Sequence, residues 1–263
     1  MNKLKIGKRI FLEKNDGKVS LNICDASKFL NVKVINISVN SDTDLIIEYD
    51  DIDKIKLDIY INVLKGVHLN IYELKIGGKY KSQYKYNLEE SSKLNIEKVC
   101  DLNSNHEMTV INLNGDEASI NYNLKTVCKS FEKYNFLVYH NANKTVSNIK
   151  NNGVNILDGT LEFNASSFVP KDIVKCNVSQ SGRIINMTNN ECVIKPNLFI
   201  DCDDVTANHS ALIGTHSLEK IFYLMSRGID KSEAERLLTK GFLMKDINYY
   251  KEDLEEIINK YWG

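Results

Sequence analysis

From about residue 18 to 214, apolar and polar positions alternate with a period of two, in short bursts. Ile55, Leu57, Ile59, Ile61 and Val63 are separated by Lys56, Asp58, Tyr60 and Asn62. Val67, Leu69 and Ile71 alternate with His68 and Asn70, and Ala118, Ile120, Tyr122 and Leu124 with Ser119, Asn121 and Asn123. A strand turns successive side chains to opposite faces, so each burst puts one face in a core and the other in water. Many strands of about five residues, joined by Asn, Gly, Asp and Lys, predict an all-β body. No helical pattern of about 10–15 residues comes between them, which excludes a βαβ sheet.

A sandwich, a barrel or a coil of stacked strands remains. Asn114-Gly115, between Ile111–Leu113 and Ala118–Leu124, is the best hairpin turn; Asn152-Gly153 and Asp158-Gly159 are further candidates. So few hairpin signals leave room for a parallel β-helix, in which each rung stacks only on its neighbours. At roughly 20–25 residues per rung, the region would hold about eight rungs. The pattern alone leaves sandwich and β-helix equally open.

From about residue 217 the period changes to that of a helix. Leu218, Ile221, Phe222, Leu224 and Met225 share one face, Ser217 is placed as N-cap and Gly228 as a left-handed stop. Asp230 opens a second helix, with Glu233 completing a capping-box-like pair; its apolar face holds Ala234, Leu237 and Leu238, and Gly241 ends it. A third helix is expected from about Asp246 to Tyr261, with Leu254, Ile257, Ile258 and Tyr261 on one side. The expected organisation is a β core over 1–215 and a helical domain over 216–263. Helices this short need a surface to pack on. They are expected to cap the β body and, on a sharper reading, to present a surface to a partner.

Charge narrows the function classes. Lys+Arg number 34 against 35 Asp+Glu, a net charge of -1, which argues against a nucleic-acid binder and against a polybasic membrane anchor. The first residues mix charges into their apolar positions, unlike a signal peptide, and no stretch approaches the roughly 20 apolar residues of a spanning helix. A cytoplasmic location is expected. Of the six cysteines, none forms a Cys-x-x-Cys pair, and their plain reading is that of small buried hydrophobes. Cys176, in phase with Val174 and Val178, illustrates it.

Pro196, then Asp203-Asp204-Val205, then His209 followed by Ser210 and Ala211, resembles the core signature of the SufB/SufD family of Fe–S cluster assembly scaffolds. Phe222-Tyr223-Leu224-Met225-Ser226-Arg227-Gly228-Ile229 is similar to the family's Phe-Tyr-x-x-Ser-Arg-Gly-Ile, and Glu233-Ala234 with Leu237-Leu238 to its Glu-Ala-x-x-Leu-Leu. Weaker echoes lie upstream. His140, Thr145, Ser147-Asn148-Ile149 and Gly153-Val154 resemble its His, Thr-x-Ser and Gly-Val, and Gln180-Ser181-Gly182-Arg183 its Gln-x-Asn-Arg, with Gly where Asn is usual.

The resemblance implies a right-handed parallel β-helix with a small C-terminal helical domain. It implies that this domain docks on a SufC-like ABC ATPase, and that two scaffold subunits pair through their β-helices and handle a transient Fe–S cluster near the contact. No cluster is expected to stay tightly bound to the isolated chain. His209 falls on the family's interface histidine and is the expected ligand for iron or sulfide, since imidazole is an acceptable second ligand beside thiolate. The assembly cysteine of the SufB branch falls here on Asn190; Cys192, two residues on and so on the same face of a strand, is the substitute thiol, with Cys202 as alternative. Cys100, Cys128 and Cys176 stay unassigned. A homodimer would place two His209 and two Cys192 side chains near a two-fold axis; a paralogous partner subunit is the other arrangement. For the ATPase contact the candidates are Phe222, Tyr223, Arg227, Leu237, Leu238 and Phe242, each of which also suits plain packing on the β body. His216 is expected at the surface or in a cap.

No Walker A motif occurs, so ATP is not expected to bind and its hydrolysis belongs to the partner; no Gly-x-Ser-x-Gly elbow occurs either, and the chain is not expected to be an enzyme. Two competing readings are a β-helix enzyme acting on polysaccharide through Asp203-Asp204 or Asp51/Asp53, and a structural subunit that binds no cluster.

Overall fold

The computed structural model describes residues 1–7, 9–25, 32–50 and 52–262. The side chains of Cys24 and Asp25 and the whole of Asp51 lie outside the described residues, and with them the Cys24 thiol and one half of the Asp51/Asp53 pair. The alternating bursts form strands β1 (Asn2–Ile6), β2 (Ile10–Lys14), β3 (Val19–Asp25), β4 (Val32–Val39), β5 (Thr43–Tyr49), β6 (Lys54–Val63), β7 (His68–Ile76) and β8 (Lys79–Leu88). They continue as β9 (Lys93–Asp101), β10 (Ser104–Leu113), β11 (Ser119–Cys128), β12 (Phe131–His140), β13 (Val146–Asn155), β14 (Thr160–Val169), β15 (Cys176–Asn186), β16 (Val193–Ile200) and β17 (Val205–Gly214).

From β4 on, successive strands fall in alternate sheets, and each pairs in parallel with the strand two places along the chain. The result is a parallel β-solenoid of about seven turns, the coil of stacked strands rather than the sandwich. None of the three expected hairpin turns is one. Asn114-Gly115 and Asp158-Gly159 are corners that carry the chain from one sheet to the other, and Asn152-Gly153 lies inside β13. A corner needs the same glycine-tolerant geometry as a hairpin turn, so the dipeptide alone does not tell them apart. The rungs are also longer than expected. His68 pairs with Lys93, 25 residues on, and Val146 with Asn177, 31 on, because most strands run to ten residues and the later corners lengthen. Fewer turns therefore fit.

The inward phase of the alternation fills the coil. Leu45, Ile47, Leu57, Ile59, Ile61, Leu69 and Ile71 are fully buried and belong to one continuous core with Ile120, Leu124, Phe136 and Ile149. The outward phase stacks too. Asn62, Asn87 and Asn112 join in a side-chain amide ladder at 2.7 and 2.8 Å, and Asn70, Asn95, Asn121 and Asn148 in a second at 2.9, 3.0 and 3.4 Å. Stacked rungs repeat at about 4.8 Å, which lets identical amides bond from one rung to the next.

The two ends differ. β2 pairs antiparallel with β1 and β3 antiparallel with β4, so the first rung is covered by strands that run against the coil. At the far end β17 pairs only with β15 and β16 only with β14 among the described strands.

Helices α1 (Leu218–Ser226), α2 (Lys231–Leu243) and α3 (Lys251–Trp262) follow. Ser217 caps α1 and Asp230 caps α2, each accepting a backbone N–H three residues on, at 3.4 and 2.9 Å. Gly228 is left-handed at φ +85°. Helix α2 runs through Gly241 to bury Leu243, and α3 begins at Lys251, because Asp246 sits in a left-handed turn at φ 64°. The helices do not cap the coil's end. α2 and α3 lie on the outer face of the sheet that holds β9, β11 and β13, where Leu243, Leu254, Ile257 and Ile258 pack on Val99, Val127 and Val154.

Gly115 is the tightest corner: a Cβ there would lie 2.0 Å from the Glu90 backbone nitrogen of the rung below. Gly115→Ala should lower the denaturant midpoint at an unchanged m-value, by about 1–3 kcal/mol of overpacking. An unaltered midpoint would mean the corners do not set the rung spacing.

Candidate functional site

The open end of the coil is built by β16 and β17. In β15 the inward residues Val178, Gln180, Gly182 and Ile184 are buried, and β17 places Ala207, His209, Ala211 and Ile213 in register with them. Those four β17 residues therefore point the way core residues point one rung earlier, yet all are exposed, since no rung is stacked on them. His209 stands in register with Gln180, which donates through Nε2 to Ser167 Oγ at 2.7 Å and to the Asn197 carbonyl at 3.3 Å. Phe199, Leu212 and Ile213 add exposed apolar surface at 53, 52 and 42%.

Cys192 precedes β16, half-buried against the main core; burial pushes its thiol above the ordinary range, with partial relief from the Leu161 backbone. A Cβ on Gly182 would meet Ile194, so Cys192 is level with Ile184, whereas His209 is level with Gln180. Their levels therefore differ by four residues of strand, an offset of about 13 Å along the strand direction. One chain does not bring them together. Among the described residues no group of three or more His, Cys, Asp or Glu is arranged to hold a metal ion. Asn190 lies in the turn before Cys192, its amide bound to the Gly159 carbonyl at 3.1 Å. Cys202 is half-buried beside Cys176, Val178 and Val205.

The helical candidates divide. Phe222 and Tyr223 are 63 and 59% exposed, and Arg227 lies over the Tyr223 ring at 5.4 Å. With Leu218 and Met225 also exposed, only Ile221 of α1 is buried, so the apolar face expected to pack on the β body is largely uncovered. Leu237 is exposed and Leu238 half-buried. Phe242 instead packs on the α3 cluster and under Arg183. His216 is neither at the surface nor a cap. It is buried, with Nε2 2.9 Å from Thr239 Oγ1, which ties the β17–α1 link to α2.

What fixes the helices to the coil escaped the sequence reading. The Glu97 carboxylate, on the outer face of β9, accepts the backbone N–H groups of Asn248, Tyr249 and Tyr250 at 2.7, 2.8 and 3.0 Å. Asp101 accepts from Lys129, Lys260 and Tyr261. Also missed is a buried quartet inside the coil. Lys98 Nζ lies 2.7 Å from Glu107 and 3.0 Å from Glu73, and Lys75 Nζ 3.2 Å from Glu107, all at most 1% exposed. Burial opposes both carboxylates, but the ammonium groups of Lys98 and Lys75 outweigh it and hold them ionised below the usual range. Tyr49 and Tyr84 donate to Glu73, and Tyr122 to Glu107 at 3.3 Å. The signal was present: Glu73 and Lys75 continue the inward phase of Leu69 and Ile71.

Two upstream motif echoes become contacts. His140 Nδ1 is 2.8 Å from Thr145 Oγ1 and Nε2 2.9 Å from Ser147 Oγ, and Cys176 Sγ is 3.2 Å from Thr145 Oγ1. Burial lowers the His140 pKa to about 4, so it is a neutral hydrogen-bonding group. Burial of Cys100, Cys128 and Cys176 agrees with their reading as small core residues.

The fold defines the class: a parallel β-solenoid with helices laid on one face and its last rung uncovered. Within it, residues 30–242 match the family model described as SUF system FeS cluster assembly, SufBD core domain, and the chain belongs to that family. It is 34% identical over 118 residues to the iron-sulfur cluster assembly protein SufD of Bacillus subtilis, covering 44% of this chain and 27% of that protein. It is 39% identical over 64 residues to SufD of Escherichia coli, covering 21% and 15%, and 38% over 65 residues to an iron-sulfur cluster assembly SufBD family protein of Archaeoglobus fulgidus, covering 25% and 18%. The matched stretches span less than a third of these relatives' own lengths. No helix among the described residues is long and apolar enough to cross a membrane.

Glu132, enclosed with Thr126 and Tyr134 as donors at 2.6 and 2.7 Å, is pushed up to about 7 by burial. Between the ordinary carboxyl value and about 7 the folded chain holds a proton that the unfolded chain has released, so stability falls as pH rises through that window. Glu132→Gln should remove this fall, worth up to ~3 kcal/mol, and flatten the unfolding free energy between the ordinary carboxyl value and about pH 7. An identical pH profile in the variant would assign the slope to other groups.

Proposed function

We propose that this chain is a cytosolic, non-catalytic scaffold subunit for Fe–S cluster assembly, pairing with a second scaffold through its open rung and moved by a SufC-like ABC ATPase docked on α1. The observation that carries the reading is the uncovered inner face of β17, with His209 at its centre and a free backbone edge beside it. An edge strand with apolar neighbours is a template for pairing with another strand, and soluble proteins normally blunt such edges. Here it is left open.

In this reading the cluster is cargo, assembled where two open rungs meet. His209 supplies an exposed imidazole, and Cys192 supplies a thiol that must lose its proton to hold iron, which its burial resists until a partner reshapes the end. Because the two side chains are separated within one chain, ligands have to come from both subunits, either two copies of this chain or this chain and a paralogue. The exposed Phe222, Tyr223 and Arg227 form the surface for the ATPase, with Leu237 and Leu238 beside them. The family membership and the similarity to iron-sulfur cluster assembly proteins support this role.

Native mass measurement should find two scaffold chains per complex, with the ATPase bound. Phe222→Asp should weaken ATPase binding by at least tenfold, the loss of an aromatic anchor at an interface. A strict 1:1 scaffold–ATPase complex would remove the shared site. Anaerobic addition of iron and sulfide to the assembled complex should give Fe–S charge-transfer absorbance that falls in His209→Ala and in Cys192→Ala. Absorbance indifferent to both substitutions would place the cargo elsewhere, and none in the unsubstituted complex would leave a purely structural subunit.

A further inference from the structure

Between the outer face of the last rungs and helices α1 and α2 lies a cleft of about 570 Å³. That volume suits a small-molecule ligand. Its cations are Arg183 from β15, Lys220 from α1 and Lys245 beyond α2, and no aspartate or glutamate is among its lining residues. Among the described residues none of the three has a carboxylate within 4.0 Å. Several cations elsewhere against the coil are matched, Lys75 and Lys98 by Glu73 and Glu107, and Lys129 and Lys260 by Asp101. In a chain whose net charge is -1, three unpaired cations around one cleft are a local segregation of charge and not a general excess.

Two further observations give the sign and the chemistry. The link Thr215–Ser217 lines the same cleft, so the N-terminal end of α1, a nine-residue helix capped by Ser217 and carrying Glu219 in its first turn, opens on it with its positive dipole end. The walls are apolar: Ile185, Leu237 and Phe242, with the Arg183 guanidinium 5.5 Å from the Phe242 ring. Just beyond, Lys125 is wholly buried in the row that continues through Asn152 to Arg183. Burial pushes its pKa down to about 8; the Asp246 carboxylate opposes that shift, and Lys150 and Lys245 add to it.

We propose that this cleft binds a phosphate-bearing small molecule of mononucleotide size, its phosphates held by Arg183, Lys220, Lys245 and the start of α1 and its planar part against Phe242, Ile185 and Leu237. The missing Walker A motif excludes the P-loop way of holding phosphate, and this cleft is a different one. The proposal needs neither His209 nor the open rung, but the cleft shares Leu237 and helix α1 with the surface proposed for the ATPase.

Titration calorimetry on the full chain with ADP, adenosine and inorganic phosphate tests it. ADP should bind, and adenosine and phosphate should each bind at least tenfold more weakly, since each lacks half of the recognised chemistry. Arg183→Gln with Lys245→Gln should weaken ADP by about tenfold per lost charge-assisted bond, while Arg183→Lys retains most of the affinity. As a readout that does not depend on a variant's folding, the imidazole NMR signals of His216 in the unsubstituted chain should move with ADP and not with adenosine. No heat and no His216 movement at millimolar ADP, equal affinity for ADP and adenosine, or a double variant that folds and binds as before would each overturn it. Equal affinity for ADP and inorganic phosphate would overturn the apolar half.

Discussion

The structure depends on one constraint: each rung lies about 4.8 Å above the last, and between the end rungs every inward side chain is shut between its neighbours above and below. From β4 to β17 the coil has no hairpins to hold it and no second sheet from elsewhere in the chain to cover it. Its order comes from repetition. Leucine and isoleucine stack inside and asparagine amides bond rung to rung outside, which is why the alternation is so regular between β6 and β14. Where the inward phase carries a charge, solvent cannot help, and the charge has to be met inside the coil. The quartet of Glu73, Lys75, Lys98 and Glu107 is that solution, two carboxylates against two ammonium groups with tyrosine hydroxyls taking remaining lone pairs. Replacing one member would strand the others, the costly way to break a buried ion pair.

Repetition also creates the problem of ends. A coil could add rungs indefinitely, so each end must be covered or used. At the N-terminal end β2 and β3 reverse direction and pair antiparallel, which closes the parallel series. At the other end the chain leaves β17 without a following rung and lays α2 and α3 along the side, held by Glu97 and Asp101. The helices leave the last rung free and carry an exposed aromatic face on α1 close behind it. A cleft that collects cations forms in the same movement, where the helices bridge over the outer face of the sheet.

Much of this was legible in the residues. Period two marked the strands, period 3.6 the helices, and Ser217, Asp230 and Gly228 cap or stop them as their chemistry predicts. Motif resemblance placed His209 and Gln180, and the register of β17 on β15 sets one against the other. Less legible were the features that depend on what faces a residue. Gly241 reads as a helix stop, but burial of Leu243 carries α2 past it. His216 reads as a surface residue, but it is enclosed with Thr239. Asn114-Gly115 reads as a hairpin because its dihedral freedom is local, while the sheet that each flanking strand joins is not.

The sequence by itself determined which residues turn inward, because alternation along a strand is a property of the backbone and holds wherever the strand is placed. It determined the starts of α1 and α2 and the stop at Gly228 as well, since caps act over three or four residues, but not the end of α2 or the start of α3. Only the tertiary structure decided that the strands stack in parallel, how many residues make a rung, and that the helices lie on the side and not across the end. Those choices rest on contacts between residues 25 to more than 150 positions apart, such as His68 with Lys93 and Glu97 with Tyr250. No local pattern encodes which of two equally alternating strands will be a neighbour, and the separation of His209 from Cys192 follows from that pairing alone.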